Sequence, residues 1–408
     1  MFRARASVRK LTSALIVGLA MLPGLSVEQE LQLDYRINEH IVLIPAGQDH
    51  QARLETTVFQ PNGPGPFPLI IINHGKDPGH PNLQPRDRFY HMAHAFVERG
   101  YAVMVPMRQG FANSTGRYRD HGCDMTANGY TQAEDIKDTL AYARAQKWVD
   151  TDHIVVAGQS YGGLATMALG TEDLPGVRGL INFAGGLRAD GGDCQWKTAL
   201  VEAFAAYGSR STLPSLWFYG ANDSYFNHEL AGRLHQAYVA GGGQAQLVAY
   251  GAFKNDAHSM VGSRDGFAVW WPQARGFLQR LGMPTEEVVA IAEDAPIPRT
   301  DFAAVGDIDS VPFLRERGRE AYRAFLAKAT PRAFAVSASG AWSWAEEGED
   351  PAGRVLKACQ ANSQQPCKLY AVDDYVVWSN DAAVPANVAG GERRETVDPG
   401  LTASLRGR

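Results

Sequence analysis

Short apolar runs alternate with amphipathic stretches through most of the first 282 residues. The runs 68–73, 101–106, 153–158, 177–184, 214–219 and 245–252 are too short for ordinary helices. They are rich in Val, Ile, Leu and aromatic residues, which predicts buried strands. Two more β-like runs, 40–45 and 53–61, come before them, followed by the turn cluster Pro61-Asn62-Gly63-Pro64-Gly65-Pro66. Between strands the apolar positions take helical spacing. Phe89, Met92, Ala93 and Phe96 share one face of 86–99, which Gly100 ends, and Ile136, Leu140 and Ala143 share one face of 130–148. Helices are also expected over 164–170, 229–240 and 265–281, with a polar loop at 108–129, a glycine-rich insertion at 185–212 and a loop at 253–262.

Solid apolar strands alternating with helices predict an α/β chain: a mostly parallel sheet with helices on both faces. In such sheets, sites form where strands end at their C-terminal edge. Past residue 282 the pattern changes. Residues 283–312 are rich in Ala, Pro, Asp and Glu without periodicity and read as a linker. A helix over 313–329, a strand over 332–337, a helix over 350–362 and a strand over 368–378 predict a small βαβ-like C-terminal α+β module, 313–378. The polar tail 379–408 is expected to be disordered.

The N-terminus has its own pattern. Arg3, Arg5, Arg9 and Lys10 precede the apolar segment 11–22, and Gly24 and Ser26 follow. Basic region, short apolar core and small residues are the layout of a secretory signal, here 1–26, which leaves a main domain of 27–282. The cysteines agree with export. Cys123, Cys194, Cys359 and Cys367 are even in number, form no Cys-x-x-Cys pair and have no histidines at zinc-ligand spacing. Two disulfides are expected in an oxidising compartment. The preferred pairs are Cys359–Cys367, close in sequence and a staple for a small module, and Cys123–Cys194, in two loops over one sheet edge. A secreted or periplasmic location follows.

Composition narrows the partners. With 39 basic and 44 acidic residues the net charge is −5, which favours neither nucleic acid nor an acidic membrane surface. No run after the N-terminus approaches the ~18 apolar residues of a membrane span, so no stable insertion is expected once the signal is removed.

The chemistry centres on Gly158-Gln159-Ser160-Tyr161-Gly162-Gly163, where a predicted strand runs into a predicted helix. A sharp turn there exposes the serine hydroxyl, and glycines are needed where a Cβ would clash. Serine needs a base to take its proton, and the base needs a carboxylate to orient it. In this architecture the order along the chain is Ser, acid, His. Asp223 follows the strand at 214–219, and His258 lies in the loop before the last helix. Glu229 and Asp256 are rival carboxylates. Oxyanion donors are expected from the amide of Tyr161 and from Gly75 or Lys76 in the His74-Gly75-Lys76 turn. His74 more naturally shapes that turn than acts as a base. The substrate is expected to meet the loop 108–130 and the insertion 186–212, with His74, Tyr118, Trp196, Tyr225 and Met260 as candidate contacts. The chemistry requires neither metal nor organic cofactor.

On these residues, 41–282 resembles the α/β-hydrolase superfamily, and most of all its dienelactone hydrolase-related branch. The run 60–68 leading into Asn73-His74-Gly75, the Ser160 turn, Asp223 and His258 carry the resemblance. Dienelactone hydrolases proper use a cysteine nucleophile; Ser160 in its place implies a serine carboxylesterase acting on a small-molecule ester. Ser-Tyr-Gly-Gly also resembles the catalytic domain of prolyl oligopeptidase-type peptidases. A peptidase, or a non-catalytic binding protein on a hydrolase fold, are the alternatives.

Overall fold

The computed structural model describes residues 33–189, 194–292, 296–346 and 350–379. The expected signal and nearly all of the expected disordered tail lie outside these residues. Eight strands form one sheet: β1 (His40–Ala46), β2 (Ala52–Phe59), β3 (Phe67–Asn73), β4 (Ala102–Pro106), β5 (Val149–Gln159), β6 (Val177–Phe183), β7 (Ser215–Gly220) and β8 (Ala245–Tyr250). Their order is β1-β2-β4-β3-β5-β6-β7-β8. β2 runs antiparallel to both of its neighbours, and every pair from β4 to β8 is parallel.

Alternation along each central strand supplies two cores. Leu69 and Ile71 of β3 face one way with Ile154 and Val156 of β5. There they pack against α2 (Met125–Arg144), α3 (Tyr161–Leu169), α4 (Trp196–Gly208) and α5 (His228–Ala240). Ile70 and Ile72 face the other way with Val155 and Ala157, under α1 (Tyr90–Glu98) and α6 (Phe267–Arg280). The two-sided α/β sheet is therefore as the apolar runs predict.

Several boundaries differ. The helix expected from residue 86 begins at Tyr90, because Phe89 before it is left-handed (φ 46°). The helix expected from 130 starts earlier, at Met125, because Asp124 caps it by accepting from the Ala127 N–H at 2.8 Å. The glycine-rich insertion, for which no helix is expected, contains α4, whose buried Leu200, Ala203, Phe204 and Tyr207 make an apolar stripe.

The C-terminal region has α7 (Glu316–Leu326), β9 (Arg332–Ser337), β10 (Trp342–Glu346), α8 (Pro351–Ala361), β11 (Cys367–Val372) and β12 (Tyr375–Val376). Its sheet has the order β10-β9-β11-β12 and is antiparallel throughout, so the βαβ-like expectation is corrected. β10 is the strand that the sequence reading lacks; it pairs with β9 through the turn at Gly340 (φ 84°). The strand expected over 368–378 is broken by left-handed Asp373 (φ 50°) into β11 and β12. α7 covers one face of this sheet through Tyr322 and Phe325, and α8 the other through Val355 and Cys359.

Both expected disulfides are present. Cys123–Cys194 has Cα atoms 5.6 Å apart and Cys359–Cys367 has them 6.0 Å apart. The segment between the two sheets is tied down: the Val288 and Val289 amides donate to the Glu98 carbonyl, and Arg99 pairs with Glu287 at 2.7 Å. Among the described residues no helix is long and apolar enough to cross a membrane.

Candidate active site

β5 ends at Gln159 and α3 begins at Tyr161, so Ser160 alone makes the turn, at φ 54° and ψ −121°. That conformation is strained for a residue with a Cβ, on the order of 1–3 kcal/mol. It is held by the Ser160 N–H donating to the Phe183 carbonyl at 2.9 Å and by the Ser160 carbonyl accepting from the Leu164 and Gly186 amides. The flanking glycines are steric necessities. A Cβ on Gly158 would lie 2.2 Å from the Gly162 carbonyl oxygen, and one on Gly162 would lie 2.1 Å from that of Asn73.

Asp223 follows β7 and is buried. Its Oδ1 accepts the Tyr225 and Phe226 amides, each at 2.8 Å, and its Oδ2 faces His258 Nδ1 at 3.0 Å. With Nδ1 donating to the carboxylate, Nε2 is left as an acceptor. Of the rival carboxylates, Glu229 is exposed in the first turn of α5. Asp256 accepts from the Ser224 hydroxyl at 2.5 Å, the Ser224 amide and the His258 amide, and so clamps the acid loop to the base loop without touching the ring. Burial works against the Asp256 carboxylate, but the Ser224 and His258 hydrogen bonds outweigh it and hold its pKa below the usual value. Asn222 adds a second clamp through Phe253 and Lys254.

Ser160 and His258 lie at the same sheet edge, after β5 and β8, but no direct hydrogen bond joins the Ser160 hydroxyl to the ring. Gln159 connects their segments, its side-chain amide donating to the His258 carbonyl at 3.2 Å. The Tyr225 ring lies 4.5 Å from the His258 ring and Phe226 lies 5.6 Å away. Gly75 is buried against the nucleophile turn, where its Cβ would lie 3.2 Å from Ser160 Cβ. Tyr161 is buried, while the Lys76 ammonium bonds only to the Asp77 and Gly79 carbonyls of its own exposed loop.

Two candidate contacts are corrected. His74 has no exposed surface: its Nε2 accepts from the Arg108 amide at 3.0 Å and its Nδ1 meets the Gly75 carbonyl at 2.7 Å. Burial, reinforced by the Arg108 charge, holds its pKa well below the ordinary value, so it is a neutral structural ring. Met260 is also buried, packed under the His258 turn, where it fills core rather than facing a ligand. Tyr118 and Trp196 are half-buried and approach the site indirectly. Tyr118 lies 6.5 Å from the Tyr161 ring, and Trp196 lies 6.3 Å from Phe226.

Gln159, Asn222, Phe226 and Arg108 join the site without a prior signal in the sequence. The nearest thing to one is at Phe226, since the aromatic pair Tyr225-Phe226 falls on the acid loop two residues after Asp223. Among the described residues no group of three or more His, Cys, Asp or Glu is placed to hold a metal ion.

Residues 49–201 match the X-Pro dipeptidyl-peptidase (S15) family. That stretch includes Ser160 and ends before Asp223 and His258. A curated relative, the quorum-quenching protein AidA of Acinetobacter baumannii, is 29% identical over 116 residues, covering 28% of this chain. The match spans 35% of that relative's length. Among solved structures, a Klebsiella pneumoniae protein described as a dienelactone hydrolase covers 60% of this chain and 98% of its own, at 16% identity and TM-score 0.41. The esterase Est1E of Butyrivibrio proteoclasticus, with ferulic acid bound, covers 59% of this chain and 99% of its own, at 19% and 0.43. An acylaminoacyl peptidase of Pyrococcus horikoshii covers 62% and 43%, at 15% and 0.45.

Proposed function

We propose that this α/β-type hydrolase, which has the fold of the α/β-hydrolase superfamily and is related to esterases and X-Pro peptidases, is an exported serine esterase. It acts on small carboxylic esters through Ser160, His258 and Asp223. The observation that carries the reading is the pairing of Asp223 Oδ2 with His258 Nδ1 at 3.0 Å, at the sheet edge where Ser160 is held in its strained turn.

His258 Nε2 takes the Ser160 proton as Oγ attacks the ester carbonyl. Asp223 holds the ring in the Nδ1–H form and stabilises the imidazolium. The oxyanion is met by the Tyr161 amide, at the N-terminus of α3, and by an amide of the Gly75–Lys76 turn. The imidazolium then protonates the leaving alkoxide and the alcohol departs; water attacks the acyl-enzyme with His258 again as base, the bond to Ser160 Oγ breaks to release the acid, and the imidazolium returns the proton to Oγ. In a wild-type chain an active-site phosphonate probe should label Ser160, and Ser160→Ala should not label. Equal labelling of both, or of neither, overturns the reading. The two disulfides accord with an oxidising location, secreted or periplasmic.

The S15 match favours a second reading, a peptidase. Parallel assays of short-chain nitrophenyl esters and X-Pro amides separate the two. An esterase hydrolyses the esters far faster, whereas a peptidase turns over both at comparable rates. The quorum-quenching relative adds quorum signals to the substrates worth assaying.

A further inference from the structure

We propose that Arg108 is the positioning residue of the oxyanion site: a buried guanidinium that fixes two peptide planes of the His74-Gly75-Lys76 turn so that their N–H groups face the Ser160 side. The inference rests on the acyl-transfer reading above and assigns a residue that this reading does not use.

Arg108 lies just after β4 and has no exposed surface. Its Nη1 donates to the His74 carbonyl at 2.6 Å, Nη2 to the Gly75 carbonyl at 3.4 Å and Nε to Gln132 Oε1 at 2.8 Å. No carboxylate bonds it directly. Two acids are near enough to act on its charge without bonding it: Asp135 accepts the backbone and side-chain N–H groups of Gln109, and Asp87 accepts from Gln84 Nε2 at 3.0 Å. A buried cation satisfied by neutral oxygens is a costly arrangement, and an apolar residue would fill the same space without that penalty. What the charge does in this place therefore needs an account.

Peptide geometry supplies it. The peptide bonds in this turn are trans, since among the described residues the cis bonds are those before Pro66 and Pro331. In a trans peptide the N–H points opposite to the C=O. The His74 carbonyl aimed at Arg108 sends the Gly75 N–H the other way. The Gly75 carbonyl, held by His74 Nδ1 as well as Arg108, does the same for the Lys76 N–H. Gly75 also packs against Ser160. A carbonyl that accepts from a cation polarises its peptide and strengthens the opposite N–H as a donor. The guanidinium carbon also lies 5.4 Å from the Tyr161 ring centroid, so one residue braces both walls from which the oxyanion donors come. Burial lowers the Arg108 pKa only to about 10, which leaves it charged at neutral pH.

The test compares wild type, Arg108→Lys and Arg108→Met in the full chain. It measures ester turnover, inhibition by a boronic acid that forms a tetrahedral serine adduct, and inhibition by the unreactive amide of the same acid. We expect kcat to fall by about 10²–10³ in Arg108→Met, the size of a lost oxyanion donor, and by about tenfold in Arg108→Lys, which keeps charge but not the fork. KM and amide affinity should hold within about twofold, and boronate affinity should fall with kcat. A folded variant with wild-type kcat overturns the proposal, as does a parallel loss in kcat, KM and amide affinity, the mark of general disruption. If Arg108→Met does not fold, Gln132→Leu frees the guanidinium while keeping it, and the same split is expected; unchanged kcat in both Gln132→Leu and Arg108→Lys overturns the proposal. Phosphonate labelling of wild type separates the two readings. Failure to label removes the acyl-transfer mechanism itself, whereas labelling with an undiminished Arg108→Met removes only the role of Arg108.

Discussion

Asp223 divides its carboxylate between two tasks: Oδ2 faces His258 Nδ1 at 3.0 Å while Oδ1 is fixed by the amides of Tyr225 and Phe226. Three hydrogen bonds fix the carboxylate, and through Oδ2 it orients the ring. Asp223→Asn should keep the amide contacts through its own oxygen and turn its NH₂ toward His258, forcing the wrong tautomer. We expect kcat to fall by about 10⁴, with little change in melting temperature. A variant that keeps more than a tenth of wild-type kcat would remove Asp223 from the mechanism.

Asp256 should behave differently, because it joins loops rather than orienting the ring. Asp256→Ala loses the Ser224 hydroxyl, the Ser224 amide and the His258 amide at once, and should cost about 2 kcal/mol of stability. Activity should fall by about tenfold as the base loop loosens. The carboxyl is held below its ordinary 3.8 in the folded chain. Its contribution is therefore fully present above about pH 4 and lost as pH falls through the lowered folded value. Chemical denaturation between pH 2 and 7 should show wild type and Asp256→Ala converging at the acid end. Curves that stay parallel throughout would contradict the assignment.

Two glycine substitutions separate steric necessity from helix propensity. Gly162→Ala would push a methyl to 2.1 Å from the Asn73 carbonyl oxygen, a backbone atom that cannot rotate away. It should destabilise by at least the 1–3 kcal/mol typical of overpacking and disturb Ser160 as well. Gly232, inside α5, has nothing within 4 Å of its Cβ position. Gly232→Ala should stabilise by about 0.5–1 kcal/mol with activity unchanged. Thermal melts of the pair check this, and a loss of stability in both would mean that crowding at Gly162 is not the cause.

The central sheet was legible because strand burial writes solid apolar runs, and the sharp turn at Ser160 because its close strand-to-helix approach demands glycine on both sides. α4 was not, because its stripe at Leu200, Ala203, Phe204 and Tyr207 is short and set in a polar, glycine-bearing stretch. β10 was hidden for a related reason: Trp342-Ser343-Trp344-Ala345-Glu346 is half-buried along its length and follows a glycine turn, so it carries neither a solid apolar run nor a hairpin dipeptide. Arg108 and Gln159 could not be read from the chain, since their roles depend on hydrogen bonds to residues distant in sequence. His74 and Met260 show the converse. Met260 lies two residues after His258 and His74 directly before Gly75, yet both are buried, because proximity along the chain does not fix which way a side chain turns.

The two disulfides should differ in what they hold. Cys123–Cys194 spans 71 residues and Cys359–Cys367 spans 8, so on the chain-entropy account they are worth about 4 and about 2.5 kcal/mol. The long bridge also ties the segment carrying Tyr118 to the start of α4, where Trp196 stands. Cys123→Ser/Cys194→Ser should therefore lower the melting temperature more than Cys359→Ser/Cys367→Ser. It should also raise KM for bulky esters, because the tied segments carry Tyr118 and Trp196, whose rings pack toward Tyr161 and Phe226. The short bridge joins α8 to β11 within the C-terminal sheet, and its removal should leave KM unchanged. Intact mass with and without reductant checks that both bridges form. Melting curves and KM for a small and a bulky ester then compare the variants. Equal destabilisation with unchanged KM in both would mean that Cys123–Cys194 does not shape the substrate site.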